Sequence, residues 1–175
     1  NELISQSEAL VFFTGAGIST NSGIPDFRGP KGIWKTSQPI YFQDFVNSKE
    51  KRIESWERKF SNELNIHKAK PNQGHIKIAE IMNKKDLSHL ITQNVDNLHQ
   101  ESGISDNQIT ELHGNATYAK CLDCQLRYDL TELKESFLEN KEPPLCNECN
   151  GLIKTATISF GQAMPEKEMV IAQKK

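Results

Sequence analysis

A short apolar run that leads directly into a glycine-rich segment places the strongest constraint on the fold of this chain. Residues Ala9 to Phe13 have the composition of a short buried strand, and Gly15, Ala16 and Gly17 follow it. Such small residues let backbone N–H groups approach a phosphate closely. The pattern therefore predicts a phosphate-binding loop at the edge of a parallel α/β sheet. A glycine pair can also form a simple tight turn, and that alternative stays open here.

The spacing of these small residues departs from the common dinucleotide-binding fingerprint. Thr20 occupies the position where a third glycine is expected, and no acidic residue ends a second strand at the usual distance. An ordinary Rossmann-fold dehydrogenase is therefore disfavoured.

Segment 23–29 combines a proline, a carboxylate, an aromatic ring and a guanidinium group without helical or strand periodicity. Loops of this kind often carry function. Arg28 can clamp a phosphate or a ribose, Phe27 can cover a reactive sugar carbon, and Asp26 can orient a hydroxyl or the arginine. The structural alternative is a surface turn with an internal ion pair between Asp26 and Arg28.

A second polar segment, Gln93 to Asp96, follows the apolar run Leu87 to Ile91, which predicts a buried strand. Ligands bind outside the carboxyl ends of strands in open α/β sheets, so these polar side chains are expected to line a cleft. Asn94 can contact ribose hydroxyls or hold a water, and Asp96 can accept a hydrogen bond from a carboxamide. Alternatively, Asn94 caps the next helix and Asp96 lies in its first turn.

Among the five histidines, His113 has the most distinctive context. It lies in the segment Glu111 to Asn115, at the end of a strand predicted over Ile109 to Leu112. An unperturbed histidine pKa near neutrality suits a general base, although a histidine taken at random is more often structural. The other four, His67, His75, His89 and His99, lack comparable context, and His99 is expected to be packed or hydrogen-bonded.

All four cysteines fall in two Cys-x-x-Cys pairs separated by 21 residues. Each pair can offer two thiolates to one metal ion, and two pairs close a tetrahedral zinc site with no open position for water. The predicted ligands of this structural zinc are Cys121, Cys124, Cys146 and Cys149. A disulfide framework is the alternative. A thioredoxin-like redox role is disfavoured because neither pair begins a helix after a strand.

Composition limits the class of partner. The chain has 175 residues, of which 36% are hydrophobic, and a formal net charge of −2. We expect one globular domain with a small appended module, and no nucleic-acid or membrane surface. The sequence shows no secretory signal or long apolar segment, so a cytoplasmic location is expected.

Helical periodicity is clearest between the first two polar segments. Ile53, Trp56 and Phe60 recur with the spacing of an amphipathic helix that packs on a core. A second helix is predicted over 71–83 and a short third one over 95–101. The apolar residues expected in the second helix are Ile76, Ile78, Ala79 and Met82.

The predicted fold class is α/β, with a Rossmann-like parallel sheet and a small inserted domain made of helices and a zinc ribbon. The predicted nucleotide-binding domain comprises residues 1–35, 87–117 and 153–175. Residues 36–86 are predicted to form a helical insertion and residues 118–152 the zinc-binding module, with a cleft between the two domains.

From about Leu10 to Pro165, the order and spacing of these motifs resemble the sirtuin family of NAD-dependent protein lysine deacylases. The matching segments are GAGIS, GIPDFRG, TQNVDNLH, ELHGN, the two Cys-x-x-Cys pairs and the ISFG stretch that begins at Ile158. The resemblance implies NAD as co-substrate, a structural zinc ion, and an acyl-lysine protein or peptide as partner. The implied products are free lysine, nicotinamide and O-acyl-ADP-ribose.

The resemblance also implies roles for individual residues. His113 and Asn94 are the implied catalytic residues, and Ile158, Phe160 and Gly161 the implied substrate-binding residues. In sirtuins the acyl carbonyl oxygen is captured at the ribose carbon to give an alkylamidate, and His113 would then draw a proton so that the 2′-oxygen attacks the alkylamidate carbon. The residues implied in NAD binding are Gly15, Ala16, Gly17, Ile24, Pro25, Asp26, Phe27, Arg28, Trp34, Gln93, Asn94 and Asp96.

The sequence differs from the branch of the family that selects acidic acyl groups. Sirtuins that select acidic acyl groups present a tyrosine and an arginine after the tryptophan turn, and the segment Lys35 to Pro39 has no clear counterparts. Acetyl or a longer neutral acyl group is therefore favoured.

Sirtuins continue beyond the region that matches the end of this chain, with strands that hold phosphates and adenine. The resemblance therefore implies a parallel sheet that is incomplete at its C-terminus, and 175 residues that alone bind NAD weakly and are inactive. Two further functions stay open. One is ADP-ribosyl transfer or NAD hydrolysis on the same scaffold, and the other is a non-enzymatic zinc module that binds a partner.

Overall fold

The structure is a computed structural model in which residues 2–26, 29, 32–35, 37–61 and 66–175 are described, with only the backbone described at Trp34 and His67. The strands in these ranges are β1 (Val11–Thr14), β2 (His89–Thr92), β3 (Ile109–Glu111), β4 (Gly114–Cys121), β5 (Arg127–Asp129) and β6 (Ile153–Thr157). The helices are α1 (Glu2–Gln6), α2 (Phe42–Asn47), α3 (Lys49–Phe60), α4 (Gln73–Met82), α5 (Leu98–Glu101), α6 (Leu130–Asn140) and α7 (Glu166–Gln173). No helix within the described ranges is long and apolar enough to cross a bilayer.

Strands β1, β2 and β3 form a parallel sheet in that order. Phe12 pairs with Leu90, and Leu90 pairs with Ile109. Parallel neighbours require crossover connections, which contain α2 to α4 between β1 and β2 and α5 between β2 and β3. The three carboxyl ends consequently lie at one edge of the sheet. This arrangement confirms the predicted α/β class.

The core beside this sheet forms where α4 packs on the central strand. Ile76 was expected on the apolar face of α4 but is 37% exposed, whereas His75 is fully buried. His75 turns inward because its Nδ1 accepts a hydrogen bond from the Asn72 N–H and completes a capping box at the start of α4. The buried residues of this core are Ala79, Met82, Leu90 and Ile104.

Strand β1 is less buried than its sequence suggests. Val11 and Phe13 are 49% and 60% exposed. In the described part of the chain, β1 is at the edge of the parallel sheet, and the face that carries Val11 and Phe13 is open. Within the described residues, the predicted buried strand is therefore only partly buried.

Two other predicted elements begin later than expected. Strand β2 starts at His89, and Leu87 is 67% exposed. Helix α5 starts at Leu98 because Asn97 adopts a left-handed backbone conformation with φ of 66°. Neither turn is visible in the apolar pattern alone.

Strands β5, β4 and β6 form a separate antiparallel sheet in that order. Strand β4 crosses the predicted boundary between residues 117 and 118, and β6 pairs with β4 rather than with the parallel sheet. The sheet pairing thus links residues that the sequence assigned to different domains. The division into two domains stays a prediction.

Helix α3 and the antiparallel sheet share one hydrophobic core. The predicted helical face is confirmed, since Ile53, Trp56 and Phe60 all pack in this core, and the Trp56 and Phe60 rings stack with centroids 5.3 Å apart. Ser48 starts α3 by accepting a hydrogen bond from the Lys51 N–H at 3.2 Å. The buried residues of this core are Trp56, Ala119, Cys121, Leu133, Phe137, Cys146 and Ile153.

Candidate active site and metal centre

A cavity of about 1220 Å³ lies where the carboxyl ends of the parallel strands meet the segment after β6. The predicted site residues that line it are Ala16, Asp26, Gln93, Asn94, His113, Ile158, Phe160 and Gly161. Five other predicted site residues do not line this cavity. They are Gly15, Gly17, Ile24, Pro25 and the buried Asp96. Phe27 and Arg28 lie outside the described residues, as does the side chain of Trp34.

The loop after β1 leaves open space over its glycines. It forms a 3₁₀ helix over Ala16–Ser22. A Cβ atom placed on Gly15 or Gly17 would meet nothing within 4 Å, so the packing of the chain itself does not require either glycine. Open space over these positions fits close approach of a pyrophosphate to the backbone.

Asp26 stabilises the turn that borders the cavity. Its Oδ1 accepts a hydrogen bond from the Gly29 N–H at 2.8 Å, and its carbonyl oxygen accepts one from the Ile33 N–H at 3.0 Å. A side chain at position 29 would collide with the Asp26 carboxylate. Arg28, the other possible partner of the Asp26 carboxylate, lies outside the described residues, so the predicted ion pair between them is not tested.

His113 is held in the tautomer that a general base needs. Its Nδ1 lies 3.0 Å from the carbonyl oxygen of Gln93. Because a carbonyl only accepts hydrogen bonds, Nδ1 carries a proton, so in the neutral ring Nε2 is the nitrogen with the lone pair. The His113 carbonyl in turn accepts from the Ile158 N–H at 2.8 Å. The imidazole is therefore oriented by the end of β2 and linked to the implied substrate-binding segment.

Gly114 makes this position of His113 possible. Its φ of 71° lies in the left-handed region, and a Cβ atom there would collide with the carbonyl oxygen of Ala156 on β6. Only glycine meets both requirements. The chain can therefore turn sharply between β3 and β4 while β6 stays in contact.

A buried hydroxyl joins the first two polar segments. Ser19 Oγ donates to Asp96 Oδ2 at 2.6 Å and accepts from Asn94 Nδ2 at 3.2 Å. Asp96 Oδ1 accepts from the Leu98 N–H at 3.1 Å. Asp96 is only 5% exposed, so in this structure it holds the loop and the start of α5 together. The predicted contact of Asp96 with a carboxamide is not tested.

Sequence reasoning missed Ser19 and His75. Ser19 follows the two glycines directly, and a hydroxyl at the end of such a loop was the available signal. His75 Nε2 lies 3.5 Å from Ser19 Oγ, but no sequence pattern connects residues 56 positions apart. The alternative that Asn94 caps the following helix is not seen, because Asn97 is the N-cap residue of α5 and Asn94 Nδ2 donates to Ser19 Oγ.

His99 is buried beside this network, as expected. Its Nε2 lies 2.9 Å from Thr14 Oγ1, and its ring packs against His75 with centroids 4.8 Å apart. His99 Nδ1 has no hydrogen-bond partner among the described residues. Burial, together with the nearby His75, lowers the pKa of His99 to about 4, although Asp96 acts in the opposite direction.

This pKa predicts a loss of stability in mild acid. The unfolded histidine has a pKa of about 6.5, so between pH 6.5 and 4 the unfolded state binds more protons than the folded state. We expect the free energy of unfolding to fall by about 2 kcal/mol from this group between pH 7.5 and pH 5. Urea unfolding at both values of pH measures it. The His99→Gln variant should lose less stability over that interval than the parent, and an equal loss in both proteins would contradict the assignment.

The four cysteine sulfur atoms converge on one point. Their Sγ atoms all lie within 4.8 Å of one another, with Cys121 to Cys149 and Cys124 to Cys146 both at 3.5 Å. Zinc–sulfur bonds of about 2.3 Å place tetrahedral ligands roughly 3.8 Å apart, whereas a disulfide needs about 2.05 Å. The donor set therefore fits a structural zinc ion, and the disulfide alternative is wrong.

The two cysteine pairs have matching backbone turns. Gln125 and Asn150, each directly after the second cysteine of its pair, have φ of 63° and 56°. Their N–H groups donate to the carbonyls of Cys121 and Cys146 at 3.2 and 2.9 Å. Each turn aims two sulfur atoms to the same side, as the Cys-x-x-Cys spacing predicts.

Tyr128 is a polar partner of the metal centre that the sequence did not reveal. Its hydroxyl donates to Cys146 Sγ at 3.1 Å and accepts from the Asn147 N–H at 3.0 Å. This hydrogen bond is the main reason that the pKa of the Cys146 thiol falls to about 6. Tyr128 thereby orients one sulfur atom from the neighbouring strand β5.

We expect Tyr128→Phe to weaken zinc binding by about 10- to 100-fold without changing the number of sites, because the orienting hydrogen bond is lost. Competition with a chromogenic chelator measures the affinity. Tyr118→Phe is the matched control, since the Tyr118 ring packs on Arg127 in the same sheet, with the guanidinium carbon 3.8 Å from the ring centre. Equal zinc affinity in the parent and Tyr128→Phe would contradict this role.

Comparison with known proteins agrees with this geometry. A sequence model described as the Sir2 family matches residues 15–175. The chain belongs to the Sir2 family. This Sir2 chain is 46% identical over 168 residues to a Rhodopseudomonas palustris protein named NAD-dependent protein deacetylase, and the alignment covers 96% of this chain and 66% of that protein. A Pyrococcus furiosus protein named NAD-dependent protein deacylase is 37% identical over 175 residues, with 98% and 68% covered.

Solved Sir2 structures share the fold. A complex described as Sir2 with p53 peptide and NAD+ has a TM-score of 0.77 and 37% identity, covering 98% of this chain and 67% of that one. A mutant Sir2 homologue in complex with ADP ribose has a TM-score of 0.83 and 29% identity, covering 99% and 69%. The chain spans 66% of the length of the first three curated relatives.

Proposed function

We propose that the protein removes an acyl group, acetyl being favoured, from protein lysine in an NAD-dependent reaction. The products are free lysine, nicotinamide and O-acyl-ADP-ribose. The observation that carries the proposal is His113, whose Nδ1–H donates to the Gln93 carbonyl, in a cavity that it shares with Ile158, Phe160 and Gly161. The names of the relatives support it, because they are called NAD-dependent protein deacetylases and deacylases.

The nucleotide would occupy the carboxyl edge of the parallel sheet. Gly15 and Gly17 leave room for a pyrophosphate beside the backbone, and Ala16 lines the cavity itself. Gln93 and Asn94 line the cavity at the end of β2, and Asn94 would contact ribose hydroxyls there. When bound, NAD would supply an electrophilic ribose carbon, from which nicotinamide departs as the leaving group.

His113 acts as the general base. Nε2 accepts a proton that is released through the ribose hydroxyls, while Nδ1–H stays bound to the carbonyl of Gln93. That carbonyl stabilises the resulting imidazolium, since its oxygen faces the positively charged ring. The orientation of the ring does not change between the two protonation states.

The segment Ile158 to Gly161 would hold the substrate peptide. The Ile158 N–H is fixed to His113, and the Phe160 carbonyl accepts from the Phe42 N–H at 2.8 Å. Phe160 is 41% exposed and packs near Tyr41, with ring centroids 5.9 Å apart. These two hydrogen bonds fix the segment at both ends beside the cavity.

The zinc ion would have a structural role. Four sulfur ligands fill a tetrahedral shell, so no position is open for a reacting water. The metal would join the two cysteine turns and stabilise the module proposed for residues 118–152. A cytoplasmic location and the absence of nucleic-acid partners remain predictions.

Product analysis tests the proposed function. The full-length protein is incubated with NAD and an acetyl-lysine peptide, and mass spectrometry identifies the products. Deacylation gives equal amounts of deacetylated peptide, nicotinamide and O-acetyl-ADP-ribose. Free ADP-ribose would instead indicate NAD hydrolysis, and an ADP-ribosylated protein would indicate the transferase. No turnover and no NAD binding by the full-length protein would favour the zinc interaction module.

A further inference from the structure

The cavity is much more basic than the chain as a whole. The sequence contains 21 basic and 23 acidic residues. Among the described residues that line the cavity, by contrast, only Asp26 is acidic. The lining cations are Arg58, Lys59, Lys134 and Lys154.

Carboxylates of the protein neutralise only one of these cations in the described ranges. Arg58 forms an ion pair with Glu54, one turn earlier on α3. Lys59, Lys134 and Lys154 form no such pair. The cavity therefore carries an excess of positive charge that the described side chains do not balance.

Two of these ammonium groups lie close to the candidate reaction site. Lys59 Nζ donates to the Ala116 carbonyl at 2.6 Å, and Lys154 Nζ donates to the Thr157 carbonyl at 2.5 Å. Thr157 directly precedes Ile158. Burial lowers the pKa of both lysines, that of Lys154 to about 8. Buried charges are normally balanced by opposite charges, and main-chain carbonyls alone provide partial compensation.

Of the three lysines without a carboxylate partner among the described residues, Lys59 and Lys134 are more open to solvent than Lys154. Both are half-buried, whereas Lys154 is 5% exposed. Lys59 comes from α3 and Lys134 from α6, so two separate helices direct positive charge into one cleft. Because these side chains are partly open to solvent, they suit groups that flank a bound lysine better than the enclosed end of an acyl chain.

We propose that Lys59 and Lys134 select acyl-lysine substrates with Asp or Glu side chains next to the modified lysine. This inference rests on the proposed deacylase function. The lysines would bind the flanking carboxylates, and a long-range attraction would bring acidic peptides to the cleft faster than neutral ones. Acetyl remains the favoured acyl group.

Matched peptides test this inference with two readouts. Two acetyl-lysine peptides are compared that have the same sequence except at the two positions on each side of the modified lysine. One peptide has Asp and Glu at these positions, and the other has Asn and Gln. We expect about three- to tenfold higher kcat/KM and tighter binding for the acidic peptide, with the difference shrinking in higher salt. Fluorescence anisotropy of labelled peptides measures binding without any turnover.

Variants identify the residues responsible. The double variant Lys59→Met and Lys134→Met should treat both peptides alike, whereas Lys84→Met, which changes an exposed lysine outside the cavity, should keep the preference. Circular dichroism checks that each variant is folded. If the double variant does not fold, the single variant Lys134→Met replaces it in the test. This variant retains the Lys59 hydrogen bond to the Ala116 carbonyl and should lose part of the preference for the acidic peptide.

Several outcomes would overturn the inference. One is equal binding and turnover of the two peptides by the parent protein. Another is a preference that survives in the folded variants. A third is a preference for acyl groups that end in a carboxylate without any effect of the flanking residues. If neither peptide is deacylated but the acidic one binds better, the proposed function fails and the charge selection stands.

Discussion

Replacement of His113 by alanine should reduce the kcat/KM of deacylation by about 10²- to 10⁴-fold, the usual contribution of a general base. The cause is loss of Nε2 as proton acceptor. Stability should change little, because the side chain of His113 is only half-buried and the variant loses the single hydrogen bond from Nδ1 to the Gln93 carbonyl. Peptide turnover with saturating NAD gives the rate, and thermal melting gives the stability.

A second histidine provides the control for this experiment. His89 Nε2 lies 2.8 Å from Thr110 Oγ1 at the opposite end of β2 from Gln93. His89→Gln should therefore keep the parental rate, although it can lower the melting temperature. Turnover by His113→Ala at the parental rate, with unchanged melting, would show that His113 has a structural role.

The parts of this site that the sequence predicts are those set by local spacing. The cysteine ligands follow from the geometry of the Cys-x-x-Cys turn. Gln93 and Asn94 follow from their place after an apolar strand, because the carboxyl ends of parallel strands share one edge. The apolar face of α3 follows from the positions of Ile53, Trp56 and Phe60.

The parts that escaped prediction depend on contacts between distant segments. The Ser19 hydroxyl meets Asp96 across 77 positions. Tyr128 and Cys146 are 18 positions apart, in a strand and a turn that the metal site brings together. The exposure of Phe13 depends on which other segments cover its face of the sheet. Hydrophobic periodicity specifies neither the partner of a strand nor that of a buried polar atom.

The long strand β4 connects the metal centre to the candidate active site. It begins at Gly114, next to His113, and ends at Cys121, a predicted zinc ligand. Cys121 and Cys146 are also members of the core that contains Trp56. Loss of the metal should therefore disturb packing around β4, and through it the position of His113, although zinc takes no part in the chemistry.

Replacement of Cys146 by serine should lower the zinc content well below one ion per chain and destabilise the antiparallel sheet. An incomplete ligand set loses most of the binding free energy that supports folding of such modules. Because Cys146 is buried in the core with Trp56, we expect a melting temperature lower by roughly 10 °C, and deacylation reduced in proportion to the unfolded fraction. Metal analysis and calorimetry measure these effects.

Glu148→Gln, an exposed change between the two cysteines of the same turn, should retain zinc and melting behaviour. If Cys146→Ser kept one zinc ion and the parental melting temperature, the four-cysteine site would be refuted.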